Sequence, residues 1–115
     1  MNEMRKPLIA VPIGDPAGVG PEITVKAAAS GKVSAAADCV IVGDKTVMEN
    51  AIRITGVDLS IRVIRGPEEG DYREGVLNLI DIDNIDQGAF AFGRVSKMCG
   101  RAAYEYIAKC IELAN

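Results

Sequence analysis

The sequence contains no histidine and no tryptophan, and only three tyrosines and two phenylalanines. Without histidine the chain lacks the commonest general base near neutral pH and the commonest transition-metal ligand. With so few rings, a core has to be built mainly from Ala, Val and Ile, as in layers of helices packed on a sheet. The three cysteines, Cys39, Cys99 and Cys110, form no CxxC pair, and none of their separations matches a zinc-ligand spacing. They are expected to be buried, reduced thiols. No long basic block and no RNA-type aromatic motif is present, and the net charge is -3, so nucleic acid is not an expected partner. The apolar runs are far shorter than a membrane span. Arg5 and Lys6 precede a short apolar segment that Asp15 and Pro16 interrupt, too short for a secretory signal, so the cytoplasm is the expected compartment.

What the sequence has is a balance suited to one small packed domain: 115 residues, 49% hydrophobic and 25% charged. No internal repeat and no low-complexity linker interrupts it. Strands are predicted near residues 8–13, 38–43, 60–65 and 76–82, and helices near 21–30, 45–55 and 96–114. The first strand (PLIAVPIG) reads as buried, with Pro12 marking a strand end or a sheet edge. The second (ADCVIVG) is a continuous apolar run with β-branched residues, expected at the centre of the sheet. Ser30-Gly31 reads as a helix stop. Asp44 suits the N-cap of the next helix, where Val47, Ala51 and Ile54 recur at helical spacing, and Gly56 suits its end. Residues 60–65 (SIRVIR) and 76–82 alternate like half-buried strands, and residues 83–93 read as a loop. Ser96 suits the N-cap of the last helix, whose stripe of Cys99, Ala103, Tyr106, Cys110 and Leu113 gives one apolar face. Alternation of strand and helix at the front of the chain predicts an α/β fold with a mainly parallel sheet flanked by helices.

The most informative stretch is VPIGDPAGVGPEI, residues 11–23. A strand runs into a glycine-rich loop, and the loop into a helix with Pro21 in its first turn, where a missing N–H costs nothing. Glycines let backbone approach a ligand and adopt positive φ, and free N–H groups at a helix start favour negative charge. Gly14, Gly18 and Gly20 do not make GxGxxG, and no Gly-Lys-Ser/Thr follows, so this is neither a dinucleotide fingerprint nor a P-loop, and Lys26 lies too far along to serve one. Asp15 and Glu22 oppose a bare phosphate, although either carboxylate could accept a hydrogen bond from a ribose, an amide or the loop backbone.

The string GDPAGVGPEI resembles the N-terminal signature of the 4-hydroxythreonine-4-phosphate dehydrogenase family. VIVGD at residues 40–44 is similar to that family's second strand and following turn. GRVSKMCGRAAYEYI at residues 93–107 is similar to the segment leading into its long helix, with Met98 and Cys99 departing from the pattern. The resemblance covers nearly the whole chain, and the chain covers about the first third of the family's length. It implies part of the first lobe, residues 1–115, of a two-lobed fold like that of isocitrate and isopropylmalate dehydrogenases. It also implies NAD- or NADP-dependent oxidation and decarboxylation of a 4-phosphorylated hydroxy acid with a divalent metal, a pyridoxine-biosynthesis type of activity, in a homodimer. The substrate so implied is 4-phosphohydroxy-threonine, or threonate or erythronate 4-phosphate. In the family the metal ligands are histidines beyond the equivalent of Asn115. No metal ligand and no catalytic residue is therefore assigned in this chain, and alone it is expected to bind no cofactor and to be inactive. Gly14, Asp15, Gly18 and Gly20 are the residues that map onto the cleft, as cofactor-binding or cleft-lining positions.

Plainer readings stand beside these. Asp15 before proline is a common turn former that braces its own loop. Glu22 in a first helical turn is favoured by the helix dipole alone. Gly18 and Gly20 can serve backbone shape, and Lys26 a solvated helix face. Asp81, Asp83 and Asp86 resemble a metal cluster in number but lack EF-hand spacing, and are expected to form a solvated loop edge. Two other functions remain open on the residues alone: a non-catalytic module, and a phosphate- or nucleotide-binding domain using the corner at residues 14–21.

Overall fold

The computed structural model describes residues 6–83 and 97–114, apart from the side chains of Lys97 and Cys99. β1 (Leu8–Pro12), β2 (Asp38–Gly43), β3 (Ser60–Val63) and β4 (Val76–Asp81) form one sheet in the order β1-β2-β4-β3, with all three pairings parallel. Four helices accompany it: α1 (Gly20–Ala29), α2 (Gly31–Ala36), α3 (Lys45–Thr55) and α4 (Lys97–Ala114). The predicted strands and helices are all present, with ends shifted by one or two residues, and the expected parallel α/β sheet is the one observed.

The parallel register sorts the side chains by face, because partners across a ladder point the same way. Leu8, Ala10 and Pro12 of β1 share a face with Asp38, Val40 and Val42 of β2. α4 packs over β1 and β2, and Leu8, Ala10 and Val40 line a gap with Leu113 and Ala114 at its end. The other face carries Val11, Ile41 and Leu79, and there α1 packs against α3. The core joins Val25 of α1, Val40, Ile41 and Val42 of β2, Val47, Met48 and Ala51 of α3, and Leu77, Leu79 and Ile80 of β4, with Ala102 and Tyr106 of α4. β2 is central, and its last four residues are buried, as its continuous apolar run predicts.

Four readings need correction. β4, between β2 and β3, is buried at Leu77, Asn78, Leu79 and Ile80 in succession, so residues 76–82 are not an alternating, half-buried strand. β1 is an edge strand, and Leu8 and Ile9 at its start are exposed, so it is not a buried strand. Pro12 ends it, which an edge position allows. Ser30-Gly31 ends α1 but also starts α2: Ser30 is the N-cap, and its Oγ accepts the Lys32 N–H at 3.3 Å. A helix stop and a helix start use the same residues here, and sequence alone favoured the stop. The α4 stripe holds at Tyr106, Cys110 and Leu113 and departs at its start, where Ala102 rather than Ala103 is buried. Ala102 and Tyr106 are buried, Met98, Cys110 and Leu113 pack against the core, and Ala103 is only half-buried. The side chain of Cys99, the expected N-cap Ser96, and residues 84–93 of the predicted loop lie outside the described residues.

Local chemistry explains the remaining boundaries. Asp44 caps α3, its Oδ2 accepting the Val47 N–H at 3.0 Å, and Gly56 ends that helix in the left-handed region at φ 73°. β3 and β4 are parallel although only a short 3₁₀ turn (Pro67–Glu69) lies between them. Asn78, 2% exposed in the middle of β4, holds that crossover. Its Oδ1 accepts the Asp71 N–H, and its Nδ2 donates to the Asp71 carbonyl, both at 2.8 Å.

Candidate functional site

The glycine-rich loop leaves the C-terminal end of β1, the end of a parallel sheet at which ligands gather. Its first turn depends on Gly14, whose φ of 78° is open to glycine and strained for other residues. Asp15 braces the turn in two ways. Its Oδ1 accepts the Ala17 N–H at 2.8 Å, and its carbonyl accepts the Gly18 N–H at 2.9 Å. Pro16 and Ala17 are buried beneath, while Asp15, Gly18 and Val19 face outward. Val19 is the N-cap residue of α1, and Pro21 sits buried in the first turn beside the half-buried Glu22. Lys26 is exposed, as expected of a solvated helix residue.

Gly20 has an ordinary φ, but a β-carbon there would overlap the carbonyl of Ile13. The start of α1 therefore folds back onto the end of β1 with no room for a side chain. At Gly18 the nearest heavy atom to an added β-carbon is the Asp15 carbonyl oxygen at 3.4 Å, and φ is again ordinary. Of Gly18 and Gly20, read as serving backbone shape, Gly20 is the one at which a β-carbon is disfavoured, by crowding, and the left-handed conformation belongs to Gly14.

The loop does not stand alone on that edge. The Ile13 N–H donates to the Val42 carbonyl at 3.1 Å, and the Ile13 side chain fills the space beside Gly43. Asp44 follows directly. One strand further on, the register pairs Gly43 with Asp81. Carboxylate oxygens of Asp44, Asp81 and Asp83 lie within 4.8 Å of one another, a set with the hard-oxygen chemistry of a divalent-cation site. By sequence, Asp81 and Asp83 belong with Asp86, which lies outside the described residues, on a solvated loop edge, and Asp44 has only a capping role.

The hydrogen bonds commit two of these three carboxylates to the backbone. One oxygen of Asp44 is committed to the α3 cap, and Asp81 Oδ1 accepts both the Lys45 N–H at 3.2 Å and the Asp83 N–H at 3.1 Å. Asp83 takes a positive φ of 54°. Burial pushes the Asp44 carboxyl above the ordinary carboxylate range. The Val47 N–H opposes that shift, and the charges of Asp81 and Asp83 reinforce it.

The other end of the sheet has a separate feature. A cavity of about 40 Å³ lies between α1, α2 and the starts of β2 and β4, lined by Ala28, Val33, Cys39, Tyr72 and Val76. It has room for ordered water and lies away from the loop. Cys39 and Cys110 are free thiols and half-buried rather than buried, and burial raises both thiol pKa values.

No family model matches the chain. A protein of Fusobacterium nucleatum named "Putative D-threonate 4-phosphate dehydrogenase" is 54% identical over 106 residues, covering 92% of this chain and 32% of its own length. A solved 4-hydroxythreonine-4-phosphate dehydrogenase from Burkholderia phymatum superposes with a TM-score of 0.90 at 37% identity, covering 96% of this chain and 33% of that one. The Klebsiella pneumoniae enzyme of the same name gives 0.86 at 33% identity, covering 99% and 34%. The chain matches the N-terminal third of this dehydrogenase family. The likeness read from GDPAGVGPEI thus extends over the strands and helices, and the chain spans about a third of the length of its relatives. Among the described residues, no helix is long and apolar enough to cross a membrane.

Proposed function

We propose that this chain is the N-terminal part of the first lobe of a dehydrogenase that uses NAD or NADP and a divalent metal to oxidise and decarboxylate a 4-phosphorylated hydroxy acid. The observation that carries the reading is the 54% identity, across nearly the whole chain, to a protein named for D-threonate 4-phosphate. D-threonate 4-phosphate is therefore the first substrate to test, ahead of erythronate 4-phosphate and 4-phosphohydroxy-threonine. When bound, a nicotinamide nucleotide would supply a hydride acceptor and a divalent metal would supply Lewis-acid chemistry for the substrate oxygen.

In this reading Gly14, Asp15, Gly18 and Gly20 line the cleft. The exposed edge of Asp15 and Gly18 offers backbone and a carboxylate to a ligand hydroxyl or amide, while Gly14 and Gly20 fix the shape of the loop. The chain's residues fit a supporting part in cofactor binding. For the metal the fit is poorer, because Asp44 and Asp81 already accept backbone N–H groups. The metal ligands are accordingly placed outside these residues, and the working unit is a homodimer in the cytoplasm.

The test is turnover by the full-length protein on each of the three acids, with each nucleotide and a divalent metal, following nucleotide reduction and CO₂ release. Reduction on D-threonate 4-phosphate supports the proposal in full. Reduction on another of the three acids moves the substrate within the proposed class. Failure on all three overturns the proposal and favours a binding module.

A further inference from the structure

We draw no further inference here: the strongest candidate, the outward face of α4 carrying Tyr104, Ile107 and Ile111 at 71%, 48% and 59% exposure, is an apolar surface for which nothing in the structure shows what covers it.

Discussion

Gly20, the first residue of α1, sits against the carbonyl of Ile13, one residue past the end of β1, so closely that only a hydrogen fits between them. This contact closes the loop at residues 14–19 into a fixed turn. Three glycines of the loop therefore differ in what they tolerate. Gly20→Ala forces backbone apart and is expected to cost about 2–3 kcal/mol, the upper range for overpacking. Gly14→Ala meets no neighbour but keeps a left-handed φ, at about 1–2 kcal/mol. Gly18→Ala has neither problem and is expected to change stability by less than about 0.5 kcal/mol, like other surface changes. Urea midpoints of the three variants give the order directly, and a Gly18 variant as unstable as the Gly20 variant would sink the account.

Gly18 is for that reason the cleanest probe of function. It is exposed and structurally permissive, so Gly18→Val in the full-length protein should leave the folded state nearly unchanged. If the loop lines the cleft, the same change should weaken nucleotide binding or turnover by roughly tenfold, about 1.4 kcal/mol. Full activity in that variant would reduce the loop to a connector.

Asp44 yields a pH prediction whose sign follows from its burial. Asp44 is buried, and its pKa in the folded chain is raised above the unfolded value, chiefly by that burial. Between those two values the folded chain holds more protons than the unfolded one, so stability falls as pH rises through that window. Asn caps a helix about as well as Asp and carries no charge. Asp44→Asn is thus expected to raise the melting temperature at neutral pH, with the gain vanishing in acid, where Asp44 is protonated anyway. Asp44→Ala removes the bond to Val47 and should cost about 1 kcal/mol of helix capping. Thermal melts of both variants from neutral to acidic pH check the pattern, and a gain for the Asn variant that grows in acid would contradict it.

Asn78 makes a related case without charge. Both ends of its amide hold the backbone of Asp71 from inside the sheet. Asn78→Leu leaves that N–H and carbonyl without their partner and should cost about 2 kcal/mol. Asn78→Asp keeps the acceptor but places a buried carboxylate against the Asp71 carbonyl. It should destabilise more at neutral than at acidic pH, the difference being readable from urea midpoints at the two conditions.

What the sequence made legible was local. α3 announced itself through a capping Asp44, an apolar repeat and Gly56, and each of these is a short-range signal. β2 showed its central place because a strand buried on both faces needs an unbroken apolar run. The loop was visible as glycines between a strand and a proline-led helix. The rest depended on partners distant in sequence. Asp44 and Asp81 meet only because β2 and β4 are neighbours in register, and nothing local to either residue states that. The exposure of Leu8 and Ile9 follows from the edge position of β1, which an apolar string does not reveal. A backbone-shape role for Gly20 was legible in the string, but its crowded partner, the Ile13 carbonyl, was not.

The chain of residues 1–115 by itself is expected to show no metal-dependent reduction of NAD or NADP with any of the three phosphorylated acids. Oxidation of a hydroxy acid needs a group to take the hydroxyl proton as the hydride leaves, and the chain has no histidine for that role. Three carboxylates at the C-terminal edge of the sheet are otherwise engaged: Asp15 braces its loop, Asp44 caps α3, and Asp81 holds two backbone N–H groups. The edge is also open, with Asp15 and Gly18 facing solvent, so water is not excluded from a bound substrate. The measurement is nucleotide reduction by 1–115 purified from a host that lacks any full-length relative, at rising chain concentration. A rate proportional to that concentration and abolished by chelation would show that the first lobe carries its own catalytic groups. The carboxylates of Asp44 and Asp81, with Asp83 beside them, would then have to be reconsidered as metal ligands.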